Sequence, residues 1–381
     1  MSEALAPSTF EEAAGALRRA AAAGRSVRLV GGGTKLHWGA PTPDPYLQLR
    51  TDALGRIVEH NAGDLTAVLE AGVQLARAQE AFASEGQMLA LDPPLGADSD
   101  LRATIGGVVA TGDCGPVRHR YGTPRDLVVG MTVALSDGTI ARSGGKVIKN
   151  VAGYDVAKLF AGSFGTLGMI LSVNVRLHPI PVATATALGC SADPELLAAA
   201  AVALSAAPLE LEALDVGWRA GGGRILARAG GAQAPRRAER VAQLMRDSGL
   251  EQLQIDTEDE RVWAEQRAGQ RSPNAALVRV ASRPSALASV LGAAQACDGA
   301  LVGRAALGSS FIALEPEAVP RLCERLPPGA VCVLLDAPAE RRAELDPWGL
   351  ARQPALELMR RVKLRFDPAG ACNPGVFVGG I

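Results

Sequence analysis

A glycine triplet after an apolar stretch is the first place where residue types and spacing suggest chemistry. Residues 26–30 have the pattern of a buried strand, and Gly31-Gly32-Gly33-Thr34 follow at once. Three unhindered backbone N–H groups and a hydroxyl can surround a phosphate. The dinucleotide fingerprint G-x-G-x-x-G fails, because Leu36 occupies the place of its third glycine. The triplet therefore indicates either a phosphate cradle or an ordinary tight turn.

A second glycine cluster favours the cradle. Thr104-Ile105-Gly106-Gly107 offers a threonine cap and two more glycines, and Gly112 ends the stretch. Glycine lets a ligand approach the backbone closely, and two such loops in one domain suit a large dinucleotide. The P-loop alternative fails, since Gly145-Lys146 is followed by Val147 rather than Ser or Thr.

Acid–base and anion-binding side chains cluster in one short stretch. Arg118, His119 and Arg120 combine two cations with an imidazole, and Tyr121 adds a phenol. Such a set could bind a carboxylate and take a proton from a substrate hydroxyl. An exposed loop with a positive face is the alternative. Three lysines on a glycine-rich segment could likewise face an anionic ligand or be solvated; they are Lys146, Lys149 and Lys158.

Composition excludes several classes of protein. The chain has 381 residues, with 39 Lys and Arg against 40 Asp and Glu, so it lacks the basic surface that nucleic acid requires. We expect no membrane span, which needs about 20 apolar residues, and no export signal. The expected location is the cytoplasm. The six cysteines are spread singly, which argues against an iron–sulfur or zinc site in this chain and predicts reduced thiols.

The elements that must position these residues follow from the pattern of apolar residues. A capping box at residues 8–12 predicts a helix that ends near Gly24, and residues 127–140 predict a hairpin. The Pro-containing stretch 178–181 predicts a domain boundary. Alternating strands and Ala-rich helices follow it. Residues 354–366 predict a basic helix whose Leu356, Met359 and Leu364 pack on the first domain.

Together these motifs resemble the FAD-binding domain of the vanillyl-alcohol oxidase (PCMH-type) family. The matching pieces cover about residues 10–180. Besides the two glycine clusters they are Asp92-Pro93-Pro94, Tyr121-Gly122 with Asp126, Asp137-Gly138, and the segment Gly162-Ser163-Phe164-Gly165-Thr166-Leu167-Gly168. The resemblance implies an α+β fold with a two-lobed PCMH-type FAD-binding domain at 1–180, an α+β cap domain at 181–345, and a C-terminal helix and tail at 346–381 that return to the first domain.

The same resemblance implies a cofactor site. Family members with covalent flavin attach it through a histidine at about the position of Thr34, so FAD is expected to be non-covalent. The pyrophosphate would lie on the two glycine clusters, and Gly168 to Ile170 near the adenosine half. The implied cofactor-binding residues are Val30, Gly31, Gly32, Gly33, Thr34, Pro94, Thr104, Ile105, Gly106, Gly107, Ala110, Thr111, Gly168 and Ile170.

Residues 149–155 and the ending at 366–375 resemble the branch that contains glycolate and D-lactate dehydrogenases, in particular the E-type FAD-binding subunits of bacterial glycolate oxidases. That likeness implies oxidation of a 2-hydroxy acid within a complex. The partners would be a catalytic FAD-containing dehydrogenase subunit and an iron–sulfur subunit, with peripheral association at the inner face of the membrane. All four histidines precede residue 180, and the histidine-rich H-G-D-G-N-x-H segment of the catalytic relatives is missing. Two alternatives remain: a stand-alone dehydrogenase that uses His119 with Arg118 or Arg120, and a redox-silent assembly subunit.

Overall fold

The computed structural model describes residues 3–95, 102–146, 154–342, 344–349 and 355–381. The helices in these residues are α1 (Phe10–Ala22), α2 (Leu75–Ala83), α3 (Ile105–Thr111), α4 (Arg118–Tyr121), α5 (Pro124–Leu127), α6 (Ala157–Phe160), α7 (Pro194–Ala206), α8 (Ala234–Asp247), α9 (Glu260–Ala268), α10 (Leu287–Ala296), α11 (Val319–Arg325), α12 (Ala339–Arg342) and α13 (Leu356–Phe366).

The strands are β1 (Glu3–Leu5), β2 (Val27–Val30), β3 (Leu47–Arg50), β4 (Ile57–Asn61), β5 (Thr66–Glu70), β6 (Gln87–Met88), β7 (Val128–Ala134), β8 (Ile140–Gly144), β9 (Met169–Arg176), β10 (His178–Pro179), β11 (Thr184–Ser191), β12 (Leu211–Arg219), β13 (Gly222–Gly230), β14 (Glu251–Asp256), β15 (Ala276–Ala281), β16 (Ala300–Arg304), β17 (Ser309–Leu314) and β18 (Val331–Asp336).

The chain divides into two compact units. The first comprises the described residues of 1–114, 122–180 and 350–381. The second comprises 115–121 together with the described residues of 181–349. The second unit therefore takes α4 from the middle of the first unit's sequence, and the C-terminal segment returns to the first unit.

The first unit contains two principal sheets, as a two-lobed domain requires. One is parallel, in the order β1-β3-β2, and the other is antiparallel, in the order β4-β5-β9-β7-β8. Helix α1 begins as its sequence predicts, because Thr9 Oγ1 accepts the N–H of Glu12 at 3.1 Å. Its fully buried Leu17 belongs to a core that includes Leu49 of β3 and Leu171 of β9. The helix thus joins the two sheets of the unit.

The second unit is built on one eight-stranded antiparallel sheet, in the order β14-β11-β13-β12-β16-β17-β15-β18. One face packs on α7, α8, α10 and α11, and Leu214, Val216 and Trp218 of β12 point into that core. The alternate residues of β12 point to the opposite face, where Ala213 packs on Trp263 of α9. We call this second surface the α9 face.

Helix α13 differs from its predicted packing. Its Phe366 ring lies 5.4 Å from the ring of Phe160 in an edge-to-face arrangement, and Leu356 lies close to Gly379. Leu364, however, is 65% exposed, so the prediction that it packs on the first domain is wrong. The helix docks through Phe366 and Lys363, and this leaves a leucine of its apolar stripe in solvent.

The cysteines also differ in part from the prediction. Cys323 of α11 and Cys332 of β18 form a disulfide, with their Cα atoms 6.1 Å apart. The prediction of reduced thiols is therefore wrong for these two residues. Cys114, Cys190, Cys297 and Cys372 form no disulfide within the described residues. The nine-residue separation of the bonded pair carried no recognisable motif in the sequence.

Candidate cofactor site and acid–base cluster

The glycine triplet follows β2 and has no room for side chains. A Cβ atom on Gly32 would overlap the carbonyl oxygen of Arg102, and one on Gly31 would overlap Oγ1 of Thr104. Gly33 has a φ of +76°, which favours glycine. In the part of the chain that the structure describes, the N–H groups of residues 31–34 donate to no protein acceptor. Four donors on one turn are left for a ligand, as an anion cradle requires.

The second glycine cluster is a helix rather than the predicted loop. Thr104 caps α3, and its Oγ1 accepts the N–H of Gly107 at 3.3 Å. The N–H groups of Ile105 and Gly106 donate to the carbonyls of Val73 and Ala71, each at 2.8 Å. Because these donors are already used, α3 supplies a close wall for the cradle rather than further N–H groups.

A buried ion pair joins the two clusters. Lys35 Nζ lies 3.3 Å from Asp113 Oδ2, and both side chains are almost completely buried. Lys35 follows the glycine triplet, and Asp113 follows the C-cap of α3. The pair therefore fixes the cradle against the far end of α3. Sequence reasoning missed it, because a single lysine and a single aspartate 78 positions apart give no pattern.

The C-terminal tail clamps the same region. Asn373 Oδ1 accepts the N–H of Leu29 at 2.8 Å, and Asn373 Nδ2 donates to the carbonyl of Phe164 at 2.6 Å. Leu29 lies in β2, immediately before the cradle, and the N–H of Phe164 donates to the carbonyl of Ala110 in α3. One side chain thus connects the strand, the Phe164 turn and, through it, the helix. The Asn-Pro-Gly ending was recognisable in the sequence, but its contact was not.

A second charged contact holds the tail in place. Lys363 Nζ donates to Asp367 Oδ2 at 2.6 Å, to the Cys372 carbonyl at 2.9 Å and to the Thr166 carbonyl at 2.7 Å. Burial alone would raise the pKa of Asp367, but the bonds from Lys363 and its other donors hold that pKa below its usual value. The carboxylate therefore stays ionised within the tail.

The structure also gives the positions of the remaining predicted cofactor residues. Val30 is the buried end of β2, and Thr111 Oγ1 donates to the carbonyl of Gly107 at 2.8 Å. Gly168, with a φ of +148°, has no room for a Cβ beside the carbonyl of Ala134, and Ile170 is buried in β9. Pro94 is half-buried. The structure thus brings Gly31 against Thr104 and Gly32 against Arg102, whereas Gly168 lies beside Ala134 of β7 and Ile170 within β9.

The predicted acid–base stretch forms α4 in the second unit. Tyr121 OH donates to Glu212 Oε2 at 2.6 Å, and Arg120 Nε lies 3.5 Å from Glu212 Oε1. Arg120 also donates to the Glu210 carbonyl at 3.0 Å. Burial and the bond to Glu212 raise the pKa of Tyr121 well above its usual value, so the phenol keeps its proton. Glu212 was not predicted, because it lies 91 positions from its tyrosine.

His119 is the group in this cluster that can accept a proton. Burial lowers the pKa of its imidazole, so the ring is neutral at neutral pH. Its Nδ1 atom is buried without a partner among the described residues. A surface cavity of about 480 Å³ lies beside it; the lining includes His119, Arg120, Leu204, Ser205, Glu210 and Leu211. The arrangement offers a proton acceptor, while the charge of Arg120 is already matched by Glu212.

The predicted anion-facing lysines have protein partners where they are described. Lys146 forms an ion pair with Glu59, and Lys158 Nζ donates to the carbonyl of Arg125 at 2.5 Å. Lys149 lies outside the described residues. Within the described ranges, no group of three or more His, Cys, Asp or Glu side chains is placed to hold a metal. None of the described helices has the length and apolar character to cross a membrane.

Comparison with known proteins defines the class of the fold. Residues 2–144 match the family profile described as FAD binding domain. The solved structure of alkyldihydroxyacetonephosphate synthase superposes with a TM-score of 0.71 over 97% of this chain and 76% of that one, at 14% identity. The chain therefore has the α+β, PCMH-type FAD-binding fold, and its cofactor is FAD.

Three relatives narrow the comparison. An uncharacterised FAD-linked oxidoreductase of Mycobacterium tuberculosis is 28% identical over 98% of this chain and 90% of its own length. A D-lactate dehydrogenase of Archaeoglobus fulgidus is 33% identical, over 59% of this chain and 51% of the relative. Glycolate oxidase subunit GlcE of Escherichia coli is 36% identical, over 41% and 43%. One relative is thus named as an FAD-linked oxidoreductase, and the other two are named for the oxidation of hydroxy acids.

Proposed function

We propose that this chain is the FAD-binding subunit of a heteromeric glycolate dehydrogenase of the cytoplasm. It would take part in oxidising glycolate, or a related (R)-2-hydroxy acid such as D-lactate, to the 2-oxo acid. Electrons would pass to a catalytic FAD-containing subunit and an iron–sulfur subunit. The likeness to glycolate oxidase subunit GlcE and to a D-lactate dehydrogenase supports the substrate class.

The observation that carries the flavin role is the cradle at residues 31–34. Its four N–H groups, which have no protein acceptor among the described residues, suit a pyrophosphate, whose oxygens accept several hydrogen bonds at once. Thr104 and Arg102 close the cradle on one side. FAD, when bound, supplies the acceptor for the two electrons and the hydrogen removed from C2 of the substrate. Binding at this cradle is non-covalent.

The subunit role is supported by the pairing in α4. A hydroxy-acid dehydrogenase needs a base for the hydroxyl proton and a cation for the carboxylate. His119 is neutral and chemically able to accept a proton, but Glu212 already balances Arg120. A catalytic centre built from α4 alone would therefore lack a free cation to bind the carboxylate of the substrate. We therefore assign completion of the reaction to the assembled complex.

An anaerobic absorption spectrum tests the proposal. The purified chain, reconstituted with FAD, should show flavin bands that persist when glycolate or D-lactate is added, and those bands should bleach once the partner subunits are present. Bleaching by the chain alone would make it a stand-alone dehydrogenase. Bands that never bleach in the active complex would make it an assembly subunit and overturn the proposed redox role.

A further inference from the structure

Four polar side chains are completely enclosed on the α9 face of the second unit. Asp215 of β12, Gln266 of α9 and Gln270 are 0% exposed, and Arg304 of β16 is 1% exposed. Asp215 and Arg304 lie directly opposite each other in the β12–β16 ladder. Gln266 Nε2 donates to Asp215 Oδ2 at 3.1 Å. Gln270 follows Gly269, which ends α9 and lies against Val302 of β16. We call this group the Arg304 cluster.

Arg304 uses only part of its hydrogen-bonding capacity. Its Nη1 atom forms the ion pair with Asp215. Its Nε and Nη2 atoms are buried and have no partner among the described residues. These two atoms form one edge of the guanidinium, the edge that binds a carboxylate through two parallel hydrogen bonds.

The neighbouring atoms are also unsatisfied. Asp215 Oδ1, Gln266 Oε1 and both polar atoms of the Gln270 amide have no partner in the described part of the chain. A buried polar atom without a hydrogen bond costs about 1–3 kcal/mol, so such a concentration is rare in a native protein unless a ligand completes it. The unsatisfied groups include donors and acceptors, as a ligand with both a carboxylate and a hydroxyl would require.

Arg304 is balanced by one acidic side chain in the described ranges. Burial raises the pKa of Asp215 to about 6, against the opposing effect of Arg304. Across the ladder on its other side, Arg304 faces the uncharged Ser309 of β17. Among the described residues the guanidinium therefore has one charged partner, bound through Nη1, and its other edge remains for a second acceptor.

We propose that the Arg304 cluster binds the carboxylate of the 2-hydroxy acid. Nε and Nη2 of Arg304 hold the two carboxylate oxygens, and the Gln270 amide bonds the carboxylate or the C2 hydroxyl. This inference rests on the proposed function for the identity of the substrate. The presence of a small-carboxylate site stands apart from that activity and is tested by binding.

Gln270→Met gives the sharpest test, because methionine has nearly the shape of glutamine without its polar atoms. Oxalate serves as the unreactive carboxylate probe, and binding to the FAD-loaded chain is followed by titration calorimetry. We expect the Kd for oxalate to rise about tenfold, as the loss of a hydrogen bond to a charged group implies. The FAD content should be unchanged. Gln295→Met, at an exposed position of α10, is the matched control and should bind oxalate like the wild type.

Arg304→Lys tests the paired N–H edge of Arg304 without removing its positive charge. Lysine keeps a cation near Asp215 but has no paired N–H edge, so oxalate binding should weaken while far-UV circular dichroism stays native. In the active complex, Gln270→Met should raise the KM for glycolate more than it lowers kcat.

If Gln270→Met raises the melting temperature and leaves the oxalate Kd unchanged, the cluster is only unsatisfied or hydrated, and the proposal is wrong. If oxalate binds as expected but no hydroxy acid is oxidised by the complex, the site stands and the proposed activity fails.

Discussion

At the scale of single residues, Gly32 is the position in the cradle with the least room for a side chain. Gly32→Ala places a methyl group against the carbonyl of Arg102, so the cradle must shift and its N–H groups lose their common direction. We expect the Kd for FAD, measured by fluorescence quenching, to rise at least about tenfold, since several charge-assisted bonds weaken together.

The matched control is Gly292→Ala in α10, where a Cβ atom meets open space. A helix-interior alanine should leave FAD binding unchanged and stabilise the protein by about 0.5–1 kcal/mol. Native-like FAD affinity in Gly32→Ala would show that the cradle is not the pyrophosphate site.

His119 makes stability depend on pH. Its pKa is lowered by burial in the folded chain, so the unfolded chain binds a proton more readily than the folded one. Its contribution to stability is complete above the unfolded pKa of about 6.5 and is lost as the pH falls through the lower folded value. Wild-type protein should therefore lose more thermal stability between pH 7.5 and pH 5 than His119→Gln. Equal losses would mean that the imidazole is hydrated rather than buried.

At the scale of elements, the C-terminal tail positions β2 and the Phe164 turn through Asn373. Its φ of +41° is a left-handed conformation that asparagine tolerates. Asn373→Asp keeps the acceptor for Leu29 but replaces the donor to Phe164 with an oxygen. We expect a loss of about 1–3 kcal/mol in unfolding free energy by urea titration, together with weaker FAD binding.

Asn274→Asp changes the same group at an exposed position and controls for the added charge. It should leave both the unfolding free energy and the FAD affinity near wild type. Lower stability of Asn373→Asp with unchanged FAD affinity would make the tail a support for the fold alone, without influence on the cradle.

The features that the sequence could predict are those whose interacting residues lie close together in the chain. The Thr9 cap of α1 and the β7–β8 hairpin depend on neighbours within a few residues, and both are confirmed. The turn at Gly31 is predictable because consecutive glycines are typical of positions where neighbouring atoms leave no room for a side chain. The Tyr121–Glu212 bond and the Asp215–Arg304 pair join residues 91 and 89 positions apart, so only the sheet of the second unit brings them together. Likewise, the glycines at 106 and 107 predict a loop, but residues 105–111 form α3, which Thr104 caps and hydrogen bonds to Val73 and Ala71 hold in place.

At the scale of the whole molecule, the two units have separate hydrophobic cores, and the FAD cradle lies wholly in the first. A ligand that binds only the folded form stabilises the unit that holds it, by about 2.7 kcal/mol at one hundred times its Kd. Differential scanning calorimetry should therefore resolve two transitions, and FAD should shift only the transition of the first unit.

Two comparisons make that result specific. In Gly32→Ala the FAD-dependent shift should disappear, while the transition of the second unit keeps its wild-type temperature. Oxalate should instead move the transition of the second unit, because the Arg304 cluster belongs there, and Gln270→Met should remove that movement. A single transition that FAD and oxalate shift alike would mean that the two units unfold cooperatively, so that binding to either one stabilises the whole chain.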